Sequence, residues 1–337
     1  MELRRIPCPT WRCSMLSLLG LFAIGLLVLI WGAELLTRGG VMLARQLGIA
    51  PIIIGLTIVA IGTSAPELAV GIDAALMGNG ALAVGNIAGT NTVNVLLILG
   101  FSALLRPLAL QTDTITLDLP AMLAAGTLML LLALDGSLSR LDGGLLLLTG
   151  IVYTALVVRS ARRSRRLVRT EAPRPEDDAS VKDGRRTALS VARLAVGIVL
   201  VVVSADWLVM GAVGLARLWG VSDAFIGLTI VAIGTSAPEL VTTVMSTIRG
   251  DRDVAIGNLI GSSVYNICAI LGVTSLVTAG GIPVPHELIW MDIPVMAAVA
   301  LVCVPVFFSG REVSRVEGGL FVTAYAGYLG VLLLTRT

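Results

Sequence analysis

Apolar runs of roughly twenty residues recur along this chain, separated by short polar breaks. That is the length an α-helix needs to cross the hydrocarbon core of a bilayer. Ten spans are predicted. The first five run roughly from Met15 to Leu36, Pro51 to Met77, Ala81 to Leu105, Ile115 to Leu134 and Leu141 to Val158. The second five run from Leu189 to Leu215, Ala224 to Ile248, Val254 to Val277, Leu288 to Phe308 and Gly318 to Leu334. Between the two sets lies the only long hydrophilic stretch, Arg159 to Ala188, whose charges and prolines (Pro173, Pro175) predict a mobile linker. The expected organisation is an N-terminal arm (1–14), a first five-helix unit (15–158), the linker (159–188) and a second unit (189–337). The arm starts like a signal peptide, yet no small-residue cleavage site closes the apolar run behind it.

Composition supports the same class. The chain is 56% hydrophobic and 14% charged, against about a quarter charged in soluble domains. It is an all-α polytopic membrane protein by this reading, of ten transmembrane helices. Cys8, Cys13, Cys268 and Cys303 form no CxxC pair; the last two lie in apolar runs as small core residues. A single histidine, His286, excludes a histidine-rich metal site.

One stretch dominates the chain. Ile54 to Leu68 reads IGLTIVAIGTSAPEL and recurs letter for letter at Ile226 to Leu240, 172 positions later. At the same offset Gly85 to Gly100 (GNIAGTNTVNVLLILG) meets Gly257 to Gly272 (GNLIGSSVYNICAILG), and Glu34 meets Asp206. With small shifts Asp118-Leu-Pro120 meets Asp292-Ile-Pro294. Each half is thus one five-helix unit. An odd number of spans forces the second unit into the membrane from the opposite side, so the halves are expected to be inverted repeats, a plan of secondary transporters.

Charge sets the expected orientation. With the central loop cytoplasmic and both termini outside, eighteen of the 24 basic residues face the cytoplasm, as the positive-inside rule requires. The arginines from Arg159 to Arg169 are then a cytoplasmic loop rather than a nucleic-acid patch. The expected location is the plasma (inner) membrane.

The repeated stretch carries chemistry. Ala60, Thr63, Ser64 and Glu67 share one helix face at positions i, i+3, i+4 and i+7, as do Ala232, Thr235, Ser236 and Glu239. Hydroxyls ending in a carboxylate suit a hard cation, which takes oxygen ligands. Gly62 and Pro66 predict a kink or break, which frees backbone carbonyls where a helix lines a cavity. A carboxylate inside a membrane span is a functional-site hypothesis by default, and this one occurs twice at the same register. The next span of each half adds Asn86, Thr90 and Asn94, answered by Asn258, Ser262 and Asn266. Thr90, Asn94, Ser262 and Asn266 read as ligands. For Asn86 and Asn258, helix–helix glue remains an equal alternative. Glu34 and Asp206 sit near span ends and read as interfacial.

GTSAPEL on span 2, GTN..N on span 3 and their copies on spans 7 and 8 resemble the alpha repeats of the calcium/cation antiporter superfamily, and within it prokaryotic sodium/calcium exchangers. The resemblance covers nearly the whole chain. It implies ten helices in two inverted halves and four ion sites around the two glutamates. Glu67 and Glu239 would share a central calcium ion with backbone oxygens of Thr63 and Thr235. Carbonyls of Ala60 and Ala232, with the hydroxyls of Ser64, Ser236, Thr90 and Ser262, would serve sodium, and Asn94 would line the centre. Spans 1 and 6 would slide as a gate. Two positions depart from the pattern: Asn266 stands where several exchangers carry an aspartate, and Ser263 where many carry asparagine.

The expected function is therefore antiport of sodium against calcium, with those ions as substrates and no cofactor or obligate protein partner. The alternative is a proton-coupled or other cation exchanger of the same superfamily. The GNIAG and GNLIG stretches lack the glutamate of proton-coupled members, which favours sodium. An intramembrane serine enzyme lacks a suitable base, since the single histidine falls in a loop.

Overall fold

A computed structural model describes residues 15–171, 184–220 and 232–336. Nearly all of them are helical. In chain order they form α1 (Met15–Leu47), α2 (Pro51–Thr63), α3 (Ala65–Leu76), α4 (Gly80–Leu105), α5 (Thr114–Ala133) and α6 (Arg140–Glu171). The second half has α7 (Gly184–Leu218), α8 (Ala232–Thr235), α9 (Ala237–Arg249), α10 (Arg252–Val277), α11 (Leu288–Gly310) and α12 (Arg315–Arg336). Eight of these helices are long and apolar enough to cross a membrane, and α2 with α3 makes a ninth, bent by 42°. The first part of predicted span 7, residues 221–231, lies outside the described residues.

Three spans run on past expectation. Helix α1 continues beyond Leu36 to Leu47, α6 is helical past Val158 up to Glu171, the last described residue before the gap, and α7 is already helical at Gly184, the first after it. Hydropathy falls there, but arginine and leucine are good helix formers, so the helix outlasts the apolar run.

The halves interlock by exchanged contacts. Helix α4 packs on α12, and its counterpart α10 packs on α6. A Cβ on Gly318 would come 2.6 Å from the Gly100 carbonyl oxygen, and one on Gly143 would come 2.8 Å from that of Gly272. Small residues let backbones approach where lipid supplies no hydrophobic drive for association. Two short antiparallel pairs tie the loops, β1 (Leu108–Ala109) to β4 (Glu312–Val313) and β2 (Ser137–Leu138) to β3 (Ile282–Pro283).

Helices α1 and α7 stand apart as a pair. Gly25, Gly32 and Gly39 recur every seven residues along α1 and meet Leu208, Leu200 and Leu194 of α7. Gly197 and Gly211 of α7 answer by meeting Leu36 and Phe22. Five glycines on one seam leave no room for side chains between the backbones. The outer face of α1 is exposed, with Leu16, Leu27 and Trp31 on it, the composition of a lipid-facing surface.

Candidate functional site

The two identical stretches break at the same residue. Ser64 (φ −83°, ψ 10°) separates α2 from α3, and Ser236 (φ −86°, ψ 7°) separates α8 from α9. Both values leave the α-helical region while keeping the chain compact. Pro66 and Pro238 then fall in the first turn of α3 and α9, where a missing N–H costs nothing. Gly62 and Pro66 thus bracket the break without being its centre. The first turn also receives Glu67 and Glu239. A helix start is the favourable end of the peptide dipole for a carboxylate, which offsets part of the cost of burial.

Glycines on α10 bring that helix against the first break. A Cβ on Gly257 would sit 2.6 Å from the Ile52 carbonyl oxygen, and one on Gly261 would sit 2.7 Å from that of Leu56. The close approach delivers Asn258, Ser262 and Asn266 to the motif of the other half. π-Helical turns at Val93–Leu99 and Asn266–Leu271 shift the register of α4 and α10 beside the asparagines, as such turns do at functional sites.

Glu67 and Glu239 are fully buried. Ser64 Oγ donates to Glu239 Oε1 at 3.1 Å. Thr63 Oγ1 donates to Asn258 Oδ1 at 3.1 Å, and Asn258 Nδ2 donates to Thr243 Oγ1 at 3.1 Å. The Ala60 carbonyl accepts from Thr63 Oγ1 at 3.3 Å and from Ser262 Oγ at 3.4 Å. Against these bonds stands a set of buried oxygens with no hydrogen-bond partner: both of Glu67, Oε2 of Glu239, and those of Ser236, Thr242, Asn94 and Asn266. An unpaired polar group in an apolar interior costs several kcal/mol, and a charge more. The Ser236 and Thr242 hydroxyls and the Asn94 amide nitrogen could also donate, but the three unpaired carboxylate oxygens carry the charge of the site and fit a hard cation as their partner. Among the described residues no group of three or more His, Cys, Asp and Glu is gathered; two carboxylates with neutral oxygens around them are the whole charge of the site.

The structure brings together Ala60, Thr63, Ser64, Glu67, Ser236, Glu239, Asn94, Ser262 and Asn266 in buried positions, with Thr90 also buried. Thr235 is half-buried, and Ala232 is the first described residue of α8. Asn258 spans Thr63 and Thr243, so it joins helices at the site, while Asn86 is only half-buried. Thr242, Thr243 and Asn91 were absent from the expected set. Thr242 and Thr243 follow Glu239 by three and four positions, the same helix face, but Val70 and Gly71 replace them in the first copy. Glu34, half-buried, carries an ion pair that the sequence did not show: its carboxylate pairs with Arg249 of α9 and, at 2.5 Å, with Arg38.

This helical membrane protein, with a buried pair of carboxylates set among hydroxyls at matched helix breaks, has the family and fold of ion exchangers. The sodium/calcium exchanger protein family matches residues 17–159 and again 189–334, one segment in each half. The chain belongs to that family. It is 37% identical to the protein named antiporter CaxA of Alkalimonas amylolytica, covering 90% of this chain and 95% of that one. It is 31% identical to the sodium/calcium exchanger MaX1 of Methanosarcina acetivorans, covering 92% and 96%. Identity to the inner membrane protein YrbG of Escherichia coli is 38%, over 86% and 88%. The solved structure of the sodium-calcium exchanger NCX_Mj soaked in sodium without calcium superposes with a TM-score of 0.80 at 26% identity, covering 96% of this chain and all of that one.

Proposed function

We propose that the protein exchanges sodium for calcium across the cell membrane by alternating access, using ten spans arranged as two inverted five-helix repeats. The domain limits are those drawn from the sequence: 1–14, 15–158, 159–188 and 189–337. The observation that carries the reading is the buried pair Glu67 and Glu239, of whose four carboxylate oxygens three have no hydrogen-bond partner. Sodium and calcium both satisfy such oxygens, so each ion displaces the other from one site. Thr63, Thr235, Ala60, Ala232, Ser64, Ser236, Thr90, Ser262, Asn94 and Asn266 complete the ion shells.

An empty site with two like charges resists the passage of the gate, while either cargo neutralises it. That difference couples the two fluxes. The gate is the α1–α7 pair, whose interlocked glycines make it move as one piece over the remaining helices. The basic loop after α6 lies in the cytoplasm and both termini lie outside, the arrangement that places most arginines inside.

Calcium-45 uptake into sodium-loaded proteoliposomes tests this. Uptake that depends on the outward sodium gradient, and is lost in Glu239→Gln, is the expected result. Uptake indifferent to sodium and driven by a pH step would make protons the coupling ion.

A further inference from the structure

Asn91 lies off the Asn86–Thr90–Asn94 stripe, yet it is almost fully buried and bonded at both ends of its amide. Its Nδ2 donates to the Ser263 backbone carbonyl at 2.9 Å and lies 3.7 Å from Met296 Sδ. A carbonyl oxygen only accepts, so this contact decides which end of the Asn91 amide carries the NH2 group. The other end, Oδ1, therefore faces Asn266 as an acceptor. Only an N–H can meet it, and Asn266 Nδ2 does so at 3.1 Å. With its NH2 committed, Asn266 has one polar atom left, the carbonyl Oδ1, and that atom has no partner.

The other half supplies an internal control. Asn94 occupies the position equivalent to Asn266, 172 residues earlier, and neither of its amide atoms is bonded. The residue equivalent to Asn91 is Ser263, too short to hold Asn94; its hydroxyl turns back to the Leu259 carbonyl at 2.9 Å. One asparagine is tethered and its counterpart is free because residue 91 is an amide and residue 263 is not.

We propose that Asn91 is a positioning residue that locks the Asn266 amide, so that Asn266 offers cations a carbonyl oxygen and never its NH2. The lock also specifies an amide at position 266. A charged aspartate there would set its lone pairs against those of Asn91 Oδ1, which cannot turn away without losing the Ser263 carbonyl. The inference rests on the reading of Asn266 as one of the cation-binding oxygens.

A double-mutant cycle in full-length proteoliposomes tests it, with half-saturating calcium and maximal rate as separate readouts. Asn266→Ala is expected to raise half-saturating calcium about tenfold, and Asn91→Ala about fivefold, the size of one lost orienting hydrogen bond. Maximal rate in Asn91→Ala is expected to change less than twofold. The double variant is expected to match Asn266→Ala, because Asn91 acts only through Asn266. Effects that multiply instead would overturn the positioning role. Unchanged calcium dependence in Asn266→Ala would overturn the ligand reading and the proposal with it. Should Asn91→Ala fail to fold, Asn91→Ser enters the same cycle, with stabilisation of the solubilised protein by calcium against heat as the readout.

Discussion

The two copies of IGLTIVAIGTSAPEL are identical in sequence and unlike in surroundings. Glu239 accepts a hydrogen bond from Ser64 of the other half, whereas Glu67 accepts none and the hydroxyl of Ser236, which would be its mirror donor, is unpaired. Helices α1 and α7 differ in the same sense. On α1, Glu34 pairs with Arg249 and Thr37 shares a 3.1 Å hydrogen bond with Ser246, both partners on α9. The counterparts are Asp206 on α7 and Met77, just past the end of α3, and both are exposed. Under the proposed alternating access, exchanging the roles of the two halves would give a second arrangement, and the described contacts belong to the first. Met77 cannot replace Arg249, so on that proposal the two arrangements would differ in energy. Identical letters acquire different roles because each copy's partners come from the opposite half.

The comparison breaks most completely at the carboxylates. Glu67→Gln and Glu239→Gln should each lower sodium-driven calcium-45 uptake at least about a hundredfold, since removing one of two charges leaves a divalent ion half-neutralised in a medium where charge is costly. Next come the serines. Ser64→Ala removes a bond to a carboxylate, worth about 1.5 to 3 kcal/mol, and should weaken calcium binding to the solubilised protein about tenfold. Ser236→Ala, with no bond to lose in this arrangement, should change it about twofold. Equal losses would mean that the asymmetry of the two shells has no bearing on binding.

The glycine seam comes third. A Cβ at residue 197 would meet the Leu36 backbone nitrogen at 2.5 Å, so Gly197→Leu should destabilise the fold by about 1 to 3 kcal/mol of overpacking, read as a lower unfolding temperature. The smallest effect concerns the ion pair. Arg249→Met should shift the balance of the two gate positions by no more than about fivefold, the scale of a partly exposed pair. Met77→Arg, which gives Asp206 a partner, should shift it the other way. Fluorescence energy transfer between labels on α1 and α9 reports both shifts.

Repetition decided what could be read from the chain beforehand. Glu67, Glu239 and their hydroxyl neighbours stood out because the same register occurs twice, and the structure gathers them. The helix break was foreseen at Gly62 to Pro66 and falls at Ser64, since proline marks a helix start rather than the turn before it. Thr242, Thr243 and Asn91 escaped because nothing matches them at the equivalent positions of the other half. The Glu34–Arg249 pair escaped because Arg249 is distant in sequence. The course of α6 beyond Val158 escaped for a different reason: hydropathy tracks the membrane surface, while backbone bonding carries the helix past it.

Competition of two ions for one pair of carboxylates is most directly tested by calorimetric calcium titration of the purified protein at increasing sodium. A single shared site predicts that the apparent dissociation constant rises with sodium more steeply than in direct proportion, because more than one sodium ion replaces each calcium ion. A dissociation constant that sodium leaves unchanged would contradict it.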